Sequence, residues 1–168
     1  LFKLSRRLQE LELGKLETDL VGQLASTAQV LEERDLANNW SLTESGQNLK
    51  KIYSECDLVL VEALNAGCFD GLTPPELAAL LSIFVYSHRG NSEDPDPLNS
   101  AIVHKKIQEI ELIANDIELL EKKFGVESAA TLDSRYAGKI YDWALGLNFS
   151  DVLDSTTKNS GTSSNIEY

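Results

Sequence analysis

The chain has 168 residues, 42% of them hydrophobic and 25% charged, which is enough apolar material for one core of ordinary size and the balance of a globular domain. Its formal net charge of −12 argues against a free-standing nucleic-acid binder with a broad basic face. No apolar run approaches the roughly 20 residues of a membrane-spanning helix, and no signal peptide opens the chain.

Residues 1–34 repeat leucines at helical spacing (Leu4, Leu8, Leu11, Leu16, Leu20, Leu24, Leu31), with Gly14 and Gly22 as points of weakness, and read as an opening helical segment. The stretch NNWSL is expected to be an extended connector before Thr43 caps the next helix. Apolar residues from Leu49 to Leu64 follow the i, i+3, i+4 rule and predict one helix, with Gly67 as its stop. In FDGLTPPELAALL, Thr73 takes the N-cap position and Glu76 can reach back to it, a capping box. Pro74 and Pro75 fall in the first turn, where their missing N–H groups have no helical partner in any case. The helix they lead is apolar on nearly every side and should be central to the fold.

GNSEDPDPLN, residues 90–99, reads as a loop. The longest periodic run follows, with Val103, Ile107, Ile110, Ala114, Ile117, Leu120 and Phe124 on one stripe and Gly125 as terminator. Residues 129–146 predict a further helix through Leu132, Tyr136, Ile140, Trp143 and Ala144, ending at Gly146. A short helical turn at SDVLDS and a polar, flexible tail close the chain. The expected fold is therefore all-α, a compact multi-helix bundle around a central apolar helix at about 74–87. Its expected divisions are an N-terminal helical segment at 1–40, a bundle at 41–154 and a tail at 155–168.

No catalytic constellation is present: the sequence lacks a GxxxxGK[ST] phosphate loop, a GxSxG elbow, an HExxH pair and a CxxC. His88 and His104 have no second ligand at helical metal spacing, so no metal site and no catalytic residue is expected. Cys56 and Cys68 fall about 15 Å apart if the residues between them are mostly helical, too far for a disulfide. A reduced, cytoplasmic setting fits. The chain begins at Leu1 and contains no methionine, which reads as an internal or C-terminal piece of a longer protein.

The run IYSECDLVLVEALNAGCFDGLTPPELAALLSIFVYSHR, residues 52–89, resembles the C-terminal helical (DSHCT) domain of Ski-like and HelY-type DExH-box RNA helicases. YDWALGLNFSDVL is similar to that family's WA-x-G-x-x-F-x-x-V motif, and LTESGQNL to its T-x-x-G-x-x-L lead-in. The likeness covers roughly residues 25–155. Two departures stand out: Ser87, His88 and Arg89 stand where such chains usually carry an acid or an acid-Arg pair after the VY, and TTKNSGTSSNIEY replaces the family's terminal helix. The resemblance implies an accessory domain of an ATP-dependent RNA helicase that packs against RecA-like motor domains and lines the single-strand channel. ATP and Mg would belong to the parent protein and no cofactor to this segment. The strand would be single-stranded RNA, with DNA as the alternative, and there would be no membrane partner. Arg89 and His88 at the end of the central helix, with Arg135 and Lys139 on the penultimate helix as secondary candidates, are the residues this reading brings to the strand. A helical protein-interaction module without nucleic-acid contact is the competing reading.

Overall fold

A computed structural model describes residues 19–86, 97–128 and 131–148 of the chain. Among them the protein is all-α apart from one two-stranded hairpin. The order is α1 over 19–33, β1 Ala37–Asn38, β2 Ser41–Leu42, α2 Glu44–Leu49, α3 Asp57–Asn65, α4 Pro74–Val85, α5 Ala101–Phe124 and α6 Ala137–Ala144. Their described residues form two compact units, 19–53 with 114–128 and 54–86 with 97–113 and 131–148, and α5 contributes to both.

In the first unit α1 passes through Gly22 without a break. It ends with Leu36 N–H bonded to the Leu31 carbonyl at 2.9 Å and Asp35 N–H to the Glu32 carbonyl at 3.1 Å. That pair of bonds is the Schellman ending, with Asp35 in the left-handed conformation at φ 54°. The same two bonds close α3, α5 and α6, where Gly67, Gly125 and Gly146 take the positive-φ position as their sequence positions predict.

The stretch expected to be a plain connector is a hairpin instead. Ala37 pairs with Leu42 and Asn38 with Ser41, so Asn39 and Trp40 form a two-residue loop, both at positive φ (47° and 65°). That is the type I′ geometry, which matches the right-handed twist of the strands and is usually built from Asn-Gly. A left-handed conformation costs a non-glycine residue roughly 1–2 kcal/mol, and Trp40 bears it on the surface. Thr43 then caps α2: its hydroxyl accepts from Gly46 N–H at 3.1 Å and donates to the Asp35 carbonyl at 2.7 Å. The Thr-x-x-Gly lead-in thus has a geometric cause. Gly46 packs so closely on the fully buried Leu36 that a Cβ there would lie 2.0 Å from the Leu36 carbonyl oxygen.

In the second unit α4 buries Ala79, Leu80, Ile83 and Phe84 and packs against α6. Val59, Val61 and Ala63 of α3 and Val103, Ile107 and Ile110 of α5 supply further buried apolar side chains to this unit. Each fully buried Leu or Ile of this kind is worth about 1.5–3 kcal/mol. The capping box at Thr73 forms as its sequence predicts, with the Glu76 carboxylate accepting from Thr73 N–H at 2.9 Å and from its hydroxyl at 2.7 Å. Cys56 and Cys68 are both free and buried.

Two helices are shorter than their periodicity suggests. The run from Leu49 to Leu64 is interrupted at Lys50–Cys56, where the Ser54 hydroxyl takes Cys56 N–H at 3.2 Å and the Asp57 carboxylate takes Leu58 N–H at 2.7 Å. Short polar side chains that bond to their own backbone offer the chain an alternative to helix. Residues 131–136 likewise precede α6 without joining it, because Asp133 N–H bonds to the Ile83 carbonyl at 3.1 Å. The first half of the expected opening helix at residues 1–18, the helical turn at SDVLDS, the tail at 155–168 and most of the 90–99 loop lie outside the described residues.

Candidate functional site

The C-terminal end of α4 and the approach to α6 bring together several polar and aromatic side chains of the second unit. Ile83 lies in the last turn of α4, where carbonyls run out of helical partners. Its bond from Asp133 therefore both satisfies the helix end and fixes the segment before α6. Cys56 Sγ lies 3.7 Å from the Thr131 carbonyl and holds the start of the same segment.

That anchored backbone sets three side chains. Asp133 accepts Arg135 N–H at 3.1 Å and Arg135 Nε at 2.8 Å, and its second oxygen takes the guanidinium Nη2, so the pair is a two-pronged one within a single turn of chain. Tyr136 stacks on Tyr86 with ring centroids 4.3 Å apart and planes at 39°. Loss of water around Tyr86, and then its hydrogen bond with Tyr136, push the Tyr86 phenol up to about 12. Lys139 is only 7% exposed, and its Nζ lies 4.6 Å from the centroid of the Tyr136 ring.

Of the four side chains proposed for a strand, then, Arg135 and Lys139 share one neighbourhood, with Asp133 and Tyr136 as their partners. His88 and Arg89 lie outside the described residues. His104 sits exposed on α5, and among the described residues no three His, Cys, Asp or Glu side chains gather in a way that could hold a metal ion. No described helix is long and apolar enough to cross a membrane.

Beside the polar cluster runs an open apolar groove of about 420 Å³, lined by Ala78, Leu81, Ser82 and Val85 of α4 and by Tyr86, Tyr136 and Ile140. The α4 positions fall at i, i+3, i+4 and i+7, one face of the helix. Leu81 is 40% exposed and Val85 85% exposed, so the helix expected to be apolar on nearly every side buries one face and presents another. Sequence reading missed the parts played by Asp133, Tyr86 and Val85. The signal available for Val85 was the excess of apolar residues in α4 over what one packing face can use.

A family model described as the DSHCT (NUC185) domain matches residues 39–163. The chain is similar to the probable helicase HelY of Mycobacterium leprae, 30% identical over 132 residues that make up 74% of this chain and 14% of that protein. It is also similar to the probable helicase HelY of Mycobacterium tuberculosis strain H37Rv, at 27% over 107 residues, 61% of this chain and 12% of that one. The antiviral helicase SKI2 of Saccharomyces cerevisiae is 29% identical over 131 residues, 74% of this chain and 10% of that protein. The chain thus spans between 10% and 14% of the length of relatives from two domains of life.

Proposed function

The chain belongs to the DSHCT (NUC185) domain family, and from that membership we propose that it is the accessory domain of an ATP-dependent DExH-box RNA helicase of the cytoplasm. In this reading the domain packs against the RecA-like motor of the same polypeptide and lines the path of a single strand. ATP and Mg bind in the motor, and the strand is RNA. The observation that carries the packing is the α4 face at Ala78, Leu81, Ser82 and Val85, an apolar surface on a domain whose relatives named as helicases are far longer than the matched segment. Exposed apolar side chains in register along one helix face suit contact with a neighbouring module.

The strand contacts rest on charge and chemistry. A protein with net charge −12 can guide a polyanion only where a narrow basic stripe meets it. Arg89 and His88 are proposed to supply that stripe, with Arg135 and Lys139 as secondary candidates. Arg135 reaches a phosphate only by sharing its guanidinium with Asp133, and Lys139 from its buried place acts by holding Tyr136.

The test is crosslinking of single-stranded RNA to the full-length polypeptide, with and without Arg89→Ala. Reduced crosslinking in the variant supports the reading. Equal crosslinking removes Arg89 from the strand path, and no crosslinking in either protein favours an interaction module that touches no nucleic acid.

A further inference from the structure

The 37–42 hairpin puts a large apolar side chain where the backbone least favours one. The second central position of a type I′ turn calls for φ > 0, and glycine takes it at no steric cost. Here the residue is Trp40, at φ 65° and 71% exposed. Nothing about its own burial compensates the strain. A residue held in a sparsely populated conformation persists only when the surroundings determine it, and such residues cluster at binding sites.

The surroundings do determine it. Asn39 N–H is held by the Glu32 carboxylate at 3.1 Å, and the Asn39 amide bonds to the Asn38 side chain at 2.9 Å. Thr43 ties the far strand to the end of α1 through the Asp35 carbonyl, and Leu36, fully buried, anchors the near one. The indole is thus mounted on a braced hairpin, a preorganised anchor that loses little freedom on docking.

The nearby charges select the partner. Glu32, Glu33, Asp35 and Glu44 flank the tip in sequence against Arg34 alone, and Glu33 is already paired with Lys123 at 3.2 Å. Even with Lys123 and Arg34 set against them, these acids leave the sequence around the tip net negative, which disfavours a phosphate backbone although indole is a good stacking platform. That charge complements a surface of opposite sign. Tryptophan is among the residues enriched at interface anchor positions in desolvated pockets.

We propose that Trp40 is a docking knob that inserts into an apolar pocket rimmed by Lys or Arg on another module of the same polypeptide. The length of the relatives beyond the matched segment is the reason for placing the pocket in the same chain. This rests on the helicase-accessory reading but tests a different surface from the α4 face.

The experiment uses the full-length polypeptide with benzophenylalanine at position 40, irradiated with and without single-stranded RNA and mapped by mass spectrometry. The expected result is a crosslink to a peptide outside residues 1–168, with a Lys or Arg close to the attachment point. A crosslink to RNA, a crosslink only within residues 1–168, or no crosslink overturns the proposal. Hydroxyl-radical footprinting of the unmodified protein guards against a misfolded variant: oxidation of Trp40 should be lost while Tyr53, 97% exposed, remains modified, and equal modification of both overturns it. RNA-stimulated ATP hydrolysis measured on the same preparation reads the helicase assignment separately, so failure of one leaves the other standing.

Discussion

Ser100 donates its hydroxyl to the Glu76 carboxylate at 3.3 Å while accepting Val103 N–H, so one acid joins the N-terminal turns of α4 and α5. The bonds from Thr73, first its backbone N–H and then its hydroxyl, with that from Ser100 in addition, hold the Glu76 carboxyl below its ordinary 4.5. A carboxyl lowered in the folded state contributes stability that is complete above the unfolded value and is lost as pH falls through the folded one. Thermal melts followed by circular dichroism should therefore drop on the acid side of 4.5 in the wild type and less steeply in Glu76→Gln. Parallel pH profiles for the two proteins would remove Glu76 from the acid response.

Two glycines of the first unit should respond to alanine in opposite directions. At Gly46 a Cβ meets backbone, the Leu36 carbonyl oxygen at 2.0 Å, which cannot swing aside. Gly46→Ala should destabilise by about 1–3 kcal/mol, as forced overpacking does. At Gly22 nothing lies within 4 Å of the added carbon and the backbone is helical. Gly22→Ala should stabilise by about 0.5–1 kcal/mol through the lower entropy of the unfolded chain. Urea denaturation of both variants checks the pair, and a shared sign would contradict the packing described at Gly46.

Helix ends were legible because their signals are local. Thr73 with Glu76, and Gly67, Gly125 and Gly146 at their stops, act within four residues, and each forms as its neighbours predict. The interruptions were not legible. Leu49 to Leu64 keeps a helical rhythm straight through Lys50–Cys56, and what divides it is bonding by Ser54 and Asp57 to their own backbone. The segment before α6 is held out of the helix by Ile83, fifty residues earlier. The hairpin lacks the Asn-Gly that would have announced it, since Trp40 stands where glycine belongs. At the candidate site, the family resemblance and basic charge single out Arg135 and Lys139, but pattern does not reveal that Asp133 grips one and that the other is buried.

Replacing Trp40 separates the stability of the hairpin from its use. Trp40→Gly supplies the residue that the type I′ position favours and removes a side chain that is mostly in water. The variant should gain about 1 kcal/mol in urea denaturation, the strain released from a left-handed non-glycine residue. A loss of stability would mean that the indole packs on the domain and that the turn is not strained.

Tyr86 should titrate late. Burial, then its bond with Tyr136, hold the phenol at about 12 against an ordinary 10. A group whose folded value is raised contributes stability that is intact below the unfolded value and is lost as pH rises through the folded one. Ultraviolet titration of phenolate should show a component near 12 that disappears in Tyr86→Phe, and the alkaline unfolding limb of that variant should be less steep. A titration curve unchanged by Tyr86→Phe above the ordinary range would contradict the stacked pair.

The pairing of Arg135 with Asp133 makes the strand role of Arg135 measurable. The guanidinium is about 30% exposed and its partner about 10%, so a phosphate has to compete with a carboxylate already in place with two bonds. If Arg135 meets the strand, Asp133→Asn weakens that competition and should raise single-stranded RNA affinity, while Arg135→Ala lowers it and flattens its dependence on salt. If the pair only fixes the segment before α6, both substitutions shift the melting temperature and leave RNA affinity and its salt slope unchanged. Lys139→Gln provides the control, because a lysine 7% exposed beneath Tyr136 should alter stability with no change in salt slope. Fluorescence anisotropy with labelled single-stranded RNA over a salt series on the full-length protein reads all three, and a steeper loss for Lys139→Gln than for Arg135→Ala would reverse the roles given to the two side chains.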